Sequence, residues 1–309
     1  MTDHRENGRS PYVLFIASML IFGTIGLLRR YIPLPSAVIA CIRGIAGGTV
    51  LLLYLLTRRD KHRIKTRTSA ALGLCAVGAA MGFNWILLFE AYNYTTVATA
   101  TLCYYMQPTI VVLLSPFFFR EKLTKRKMVL CLIAVTGMVL VSGVTDSNGA
   151  GGNLKGAALG LAAAVLYAAV VIFNKKITGV DALKKTIIQL FSAGAVMIPY
   201  LLITGEYRVG PIGLRTAALL LTAGVIHTGI AYILYFSSLP GLPAQTAAIF
   251  SYIDPVSALV FSAVFLGERL SIQGIAGAVM IIGAAAAYAF PEKRNGGNPM
   301  PCQGGEDPL

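Results

Sequence analysis

Long apolar runs separated by short polar or basic stretches make up nearly the whole chain. A bilayer core of about 30 Å is crossed by roughly 20 mostly apolar residues in a helix, and the runs recur at that length. The pattern predicts spans at 11–28, 35–56, 69–91, 96–119 and 128–144. After a polar, Gly-rich linker at 146–153 it predicts five more, at 154–173, 183–204, 214–239, 244–266 and 272–290. A polar tail (1–10) precedes the first span, and a tail rich in Pro, Gly and Asn (291–309) is expected to be disordered. The fold expected is an all-α integral membrane protein of ten transmembrane helices in two sets of five. The first span opens like a signal peptide, but it runs too long and ends in Arg29-Arg30 without a small-residue cleavage site, so it is taken as retained.

The two sets share sequence. Shifting 243–270 back by 147 places Thr246, Tyr252, Pro255, Ser262, Phe265, Glu268 and Leu270 on Thr99, Tyr105, Pro108, Ser115, Phe118, Glu121 and Leu123. Asp254 falls on Gln107. One ungapped offset with that many matches argues for an internal duplication, with repeats at 11–145 and 154–290.

Composition agrees with this class. Hydrophobic residues make up 56% of the chain and charged residues 13%, against about 25% charge in soluble domains. The mean hydropathy is +0.71. A net charge of +13 would suit nucleic-acid binding, but the charges cluster between apolar runs, as loop placement in a membrane protein requires. With the amino terminus in the cytosol, nineteen Lys and Arg fall on the inner side, six of them in 58–67, and six on the outer side. Both termini are therefore placed in the cytoplasm. Because each set has five spans, the second enters from the opposite side, which makes the repeats inverted and puts a substrate site between them near the midplane.

The tandem five-span repeats, each with a proline-bearing span and a short closing motif, resemble EamA-type members of the drug/metabolite transporter (DMT) superfamily. The resemblance rests on Phe119-Arg-Glu-Lys-Leu-Thr124 and Leu266-Gly-Glu-Arg-Leu-Ser271, the Gly-rich spans after them, and Arg43 in the second span. The first motif has Arg120 where the second has Gly267. The resemblance implies a secondary transporter for amino acids, other metabolites or drugs, with export the favoured direction.

Within the spans, Asp254 is the leading candidate for substrate binding or coupling. A charged residue at mid-span costs about 2.5–3.5 kcal/mol on insertion scales and such residues usually face a cavity. The bland alternative is a protonated carboxyl bonded between helices. Pro108 and Pro255 are expected to kink their helices and to free the carbonyls of Tyr104 and Ser251. His227 lies at a depth similar to Asp254 on the neighbouring span, either as a proton relay partner or as a packing residue. Three roles are open to Arg43: holding an anionic substrate group, pairing with Glu90, or reaching the interface. Gln107 is the non-titrating counterpart of Asp254, and Tyr104, Tyr105 and Tyr252 are among the aromatics that offer surface near the prolines. The GxxxG pairs at Gly44, Gly78 and Gly156 are expected to mark close helix contacts.

Rival classes leave few traces. The chain has no G-x-S-x-G, no H-E-x-x-H and no P-loop; it has three His, and its five Cys form no metal spacing. No enzymatic activity, metal or cofactor is expected, and ATP is not the energy source. An intramembrane enzyme or a channel remains the alternative. The expected partners are a small-molecule substrate and the lipid bilayer, with a homodimer as the assembly to test and no nucleic acid.

Overall fold

A computed structural model describes residues 11–57, 68–120, 123–141, 151–243, 246–247, 250–268 and 271–289. Both tails, the basic loop 58–67, most of the linker, and motif residues Glu121, Lys122, Arg269 and Leu270 lie outside the described residues. Among the described residues the structure is helical throughout, with no strand. Helices α1 (Pro11–Gly23) and α2 (Ile25–Arg30) form the first stretch, bent at Thr24, and α3 (Ser36–Thr57) and α4 (Thr68–Tyr94) follow. The fourth stretch is α5 (Val97–Tyr104) plus α6 (Gln107–Phe119), and α7 (Lys125–Val141) closes the first half. The second half has α8 (Gly151–Lys176), α9 (Ala182–Thr204) and α10 (Leu214–Gly224), the last running through a π-helical turn (Val225–Ile230) into α11 (Ala231–Ser238). Its last two stretches end in α12 (Ile253–Leu266) and α13 (Ile272–Ala289). Among the described residues that makes ten helical stretches, five per half. Helix α8 begins inside the expected linker.

Small residues set how the halves meet. A Cβ on Gly44 of α3 would lie 2.7 Å from the Gly194 nitrogen and the Leu190 oxygen of α9, so these backbones touch. Gly78 of α4 meets the Gln189 carbonyl of α9, and Gly160 of α8 meets the Ala100 carbonyl of α5. The GxxxG pairs thus mark close contacts, as expected for packing without a hydrophobic drive between helices. Asn84 of α4 bridges to α8 by donating to the Ala163 carbonyl at 2.6 Å.

Corresponding spans of the two halves run antiparallel where they touch. Along α3 and α9, Cys41 and Gly44 face Gly194 while Gly48 faces Phe191. Along α7 and α13, Arg126 reaches the Ala287 carbonyl at 2.8 Å while Gly137 packs on Gly277. Along α5–α6 and α12, Val97 meets Glu268 and Tyr105 meets Asp254. The remaining contacts come in mates: α4 on α8 mirrors α11 on α1, and α4 on α9 mirrors the π-helical turn and α10 on α3. This is the contact pattern of two inverted repeats.

Candidate functional site

Four stretches lose regular α-helix at mid-depth, and a cavity lies among them. The fourth is interrupted at Tyr105-Met106 and the ninth at Ser251-Tyr252, breaks that overlap at Tyr105 and Tyr252, which the 147-residue offset equates. The kinks of continuous helices expected at the prolines from sequence are not what the structure shows. Each proline sits in the first turn of a new helix, α6 for Pro108 and α12 for Pro255, where its missing N–H has no intrahelical partner to lose. Nor is the Ser251 carbonyl freed: the Asp254 N–H donates to it at 3.4 Å. The first stretch bends at Thr24, and the eighth carries the π-helical turn, a device common at functional sites.

The cavity has a volume of about 680 Å³, within the range of small-molecule sites. Two charged groups face its centre from different repeats. Arg43, buried on α3, donates Nε to Thr228 Oγ1 at 2.7 Å, and its guanidinium lies 4.3 Å from the centroid of the Trp85 ring. Thr228 in turn donates to the Ala223 carbonyl at 3.0 Å, so the π-helical turn aims the acceptor that orients Arg43. Asp254, in the first turn of α12, accepts a short hydrogen bond from the Tyr105 hydroxyl of the other repeat. Neither charge forms an ion pair among the described residues. Gln107, Tyr104 and Tyr252 also line the cavity, so five of the six binding or coupling candidates meet in one place.

His227 does not join them. The structure turns it away from the cavity and ties Nε2 to Thr24 Oγ1 at 2.8 Å and Nδ1 to the Thr222 carbonyl at 3.3 Å. It holds the bend of the first stretch against the eighth, the packing role weighed from sequence. Two of the roles open to Arg43 also fall. Glu90 is taken by Ser36 at 2.5 Å and Asn93 at 3.2 Å, and Arg43 stays in the cavity wall rather than at an interface.

The cavity is asymmetric along its length. At one end Lys175, Lys185 and Thr186 line it, and Lys185 also donates to the Asn174 carbonyl at 3.2 Å, at the carboxyl end of α8. At the opposite end the lining residues Tyr92 and Thr101 are buried, and beyond them lies Glu268, whose carboxylate accepts from the Val97 N–H at 2.8 Å and pairs with Arg30 at 3.2 Å. Arg30 also donates to the Thr95 carbonyl at 2.7 Å. Glu268 thus crosses from the end of one repeat to the amino terminus of α5 in the other, where a negative charge is favoured. Glu206, in the loop beyond α9 and outside the spans, has its carboxyl raised above the usual range by partial burial and by the charge of Glu90. We call the two ends the lysine end and the glutamate end.

Two residues central to this geometry were not singled out as site residues from sequence. Tyr105 is marked there only as the counterpart of Tyr252 and as one of the aromatics near the prolines, and Glu268 only as part of the closing motif. Their recurrence in both halves was the available signal.

Two inverted sets of five apolar helical stretches around a mid-depth cavity open toward one end define a membrane transporter architecture. The chain belongs to the EamA-like transporter family, whose model matches residues 9–143 and 154–290. It is 29% identical over 276 residues to the uncharacterized transporter YxxF of Bacillus subtilis, covering 89% of this chain and 88% of that protein. It is 27% identical over 267 residues to the RarD protein of Salmonella typhi, covering 84% and 87%. A crystal structure 18% identical in sequence matches with a TM-score of 0.61, covering 90% of this chain and 96% of that one, a likeness of fold. The protein is a multi-pass membrane transporter.

Proposed function

We propose that the protein is a secondary transporter that moves small organic solutes by alternating access, with Asp254 as the coupling residue and export as the direction. The observation that carries this reading is the cavity, walled by both repeats, open toward the lysine end and shut at the glutamate end. A carrier needs a site at the repeat interface that reaches one side at a time. A cation stacked on Trp85 and a carboxylate bonded to Tyr105 suit solutes that carry charge of either or both signs beside an apolar body, of amino-acid or metabolite size. With the lysine end in the cytosol of the cell membrane, as the Lys and Arg bias supports, the cavity as it stands takes solutes from the cytosol.

Among the described residues Asp254 has no cationic partner within ion-pair distance, so its charge can be balanced by a proton or by a cationic group of the solute. The test is accumulation of a panel of labelled amino acids, metabolites and cationic drugs into proteoliposomes under an imposed pH gradient. The carrier shows saturable, pH-driven accumulation and counterflow, and Asp254→Asn loses the pH-driven part. Non-saturating flux without counterflow would overturn the reading in favour of a channel.

A further inference from the structure

The duplication pairs residues as well as helices. Tyr105 corresponds to Tyr252, and Asp254 to Gln107. The bond from Tyr105 to Asp254 therefore has a symmetry mate, Tyr252 with Gln107. Both mates line the same cavity, one on α6 and one at the interruption before α12. Yet neither the Gln107 nor the Tyr252 side chain forms a hydrogen bond among the described residues. One pair is made and its mate is apart.

Depth explains which. The fourth stretch enters at the glutamate end, so Tyr105 comes before Gln107 on the way to the lysine end. The ninth runs the other way, so Tyr252 lies on the lysine side of Asp254. The closed pair is nearer the shut glutamate end and the open pair nearer the lysine end. In an inverted-repeat carrier the second access state is reached when the repeats exchange conformations. We infer that Tyr105–Asp254 and Tyr252–Gln107 are alternating latches: the first closes the cavity toward the glutamate end, and the second closes it toward the lysine end after the first has opened. Tyr105 is then a positioning residue, which holds the Asp254 carboxylate until the cavity turns to the glutamate end.

This rests on the alternating-access reading above, and its own signature is a pair of opposite shifts. Removing a bond made in one state only moves the population toward the other. A reporter is Thr101→Cys, one turn from Tyr105 toward the glutamate end and on the cavity wall. The full-length protein in oriented vesicles is treated with a membrane-impermeant maleimide from the glutamate end, and the native cysteines are scored as background in the parent. Tyr105→Phe raises the labelling rate of the reporter about tenfold, the scale of one charge-assisted hydrogen bond. Tyr252→Phe lowers it, and Gln107→Met, which deletes the other half of the same latch, lowers it as well. Asp254→Asn keeps an acceptor oxygen and moves the rate less than Tyr105→Phe does, even where pH-driven accumulation is lost. Only variants that elute as monodisperse protein are compared. Shifts of the same sign from the two tyrosines, or none from either, overturn the latch assignment. If the reporter reacts in the parent but the variants fail to split, the carrier reading stands and the latches fall. If it reacts from the glutamate end in no background, both fall.

Discussion

The two interrupted stretches descend from one sequence, and comparing them separates what the duplication preserved from what it changed. Both break at the matched tyrosines, Tyr105 and Tyr252, both restart with proline in the first turn, and both α6 and α12 end in a left-handed residue, Arg120 at φ 55° and Gly267 at φ 65°. The backbone is symmetric. The side chains are not: one restart carries Gln107 and the other Asp254, so only one can change charge. A symmetric frame allows the cavity to face either end, and an asymmetric charge gives the two ends different chemistry.

The sharpest way to break the comparison is to remove that charge. Asp254→Asn is expected to reduce pH-driven accumulation by more than about tenfold, whereas Gln107→Met, the same site in the other repeat, leaves the pH dependence in place. Proteoliposome uptake at two imposed pH gradients decides it. Equal losses from both would make the site a packing feature.

Next in size is the glutamate-end closure. Glu268→Ala removes the acceptor at the start of α5 and the partner of Arg30 together. A loss of about 1–2 kcal/mol is expected, most of it from the helix terminus, because a partly exposed ion pair contributes little. Thermal unfolding in detergent at low and high salt separates the two, and only the ion-pair part shrinks with salt.

The helix ends should respond with opposite signs. Left-handed backbone costs a non-glycine residue about 1–2 kcal/mol. Gly267→Ala is therefore expected to destabilise by about 1 kcal/mol. Arg120→Gly should stabilise by up to about 1 kcal/mol, the relief of strain being partly offset by chain entropy. Loss of stability in both would show that Arg120 contributes contacts that outweigh its backbone.

The smallest effects are expected at the prolines. Replacing an interior helix proline would relieve about 3 kcal/mol, but in a first turn there is little to relieve. Pro108→Ala and Pro255→Ala should each change stability by less than about 1 kcal/mol, slightly downward, because alanine loosens the unfolded chain. A gain of several kcal/mol in either would mean that the helix runs through the interruption.

Spans, repeats and the central carboxylate were legible in the sequence for physical reasons. Hydropathy follows the bilayer, duplication leaves a fixed offset, and an ionisable group in an apolar run stands out. What sequence does not hold is rotation about a helix axis. His227 has the right depth, but the π-helical turn points it at Thr24 instead of the cavity. Arg43 had three roles open to it, and its orientation follows from Thr228 on a span more than 180 residues away. The Glu268 contact joins the end of one repeat to the start of the other, which no local pattern encodes. The breaks at Tyr105 and Ser251 read as kinks because proline within an apolar run marks a bend without fixing which turn of helix it begins.

The central claim is that one cavity serves both ends in turn. Nitroxide pairs on the full-length protein in nanodiscs test it directly, one at Tyr94 and Phe265 across the glutamate end, the other at Phe117 and Pro243 across the lysine end. All four residues are exposed. The account predicts two distances for each pair, with Glu268→Gln shifting weight to the longer distance at the glutamate end and to the shorter at the lysine end. A single distance at both ends that Glu268→Gln leaves in place, or changes of the same sign, would contradict alternating access.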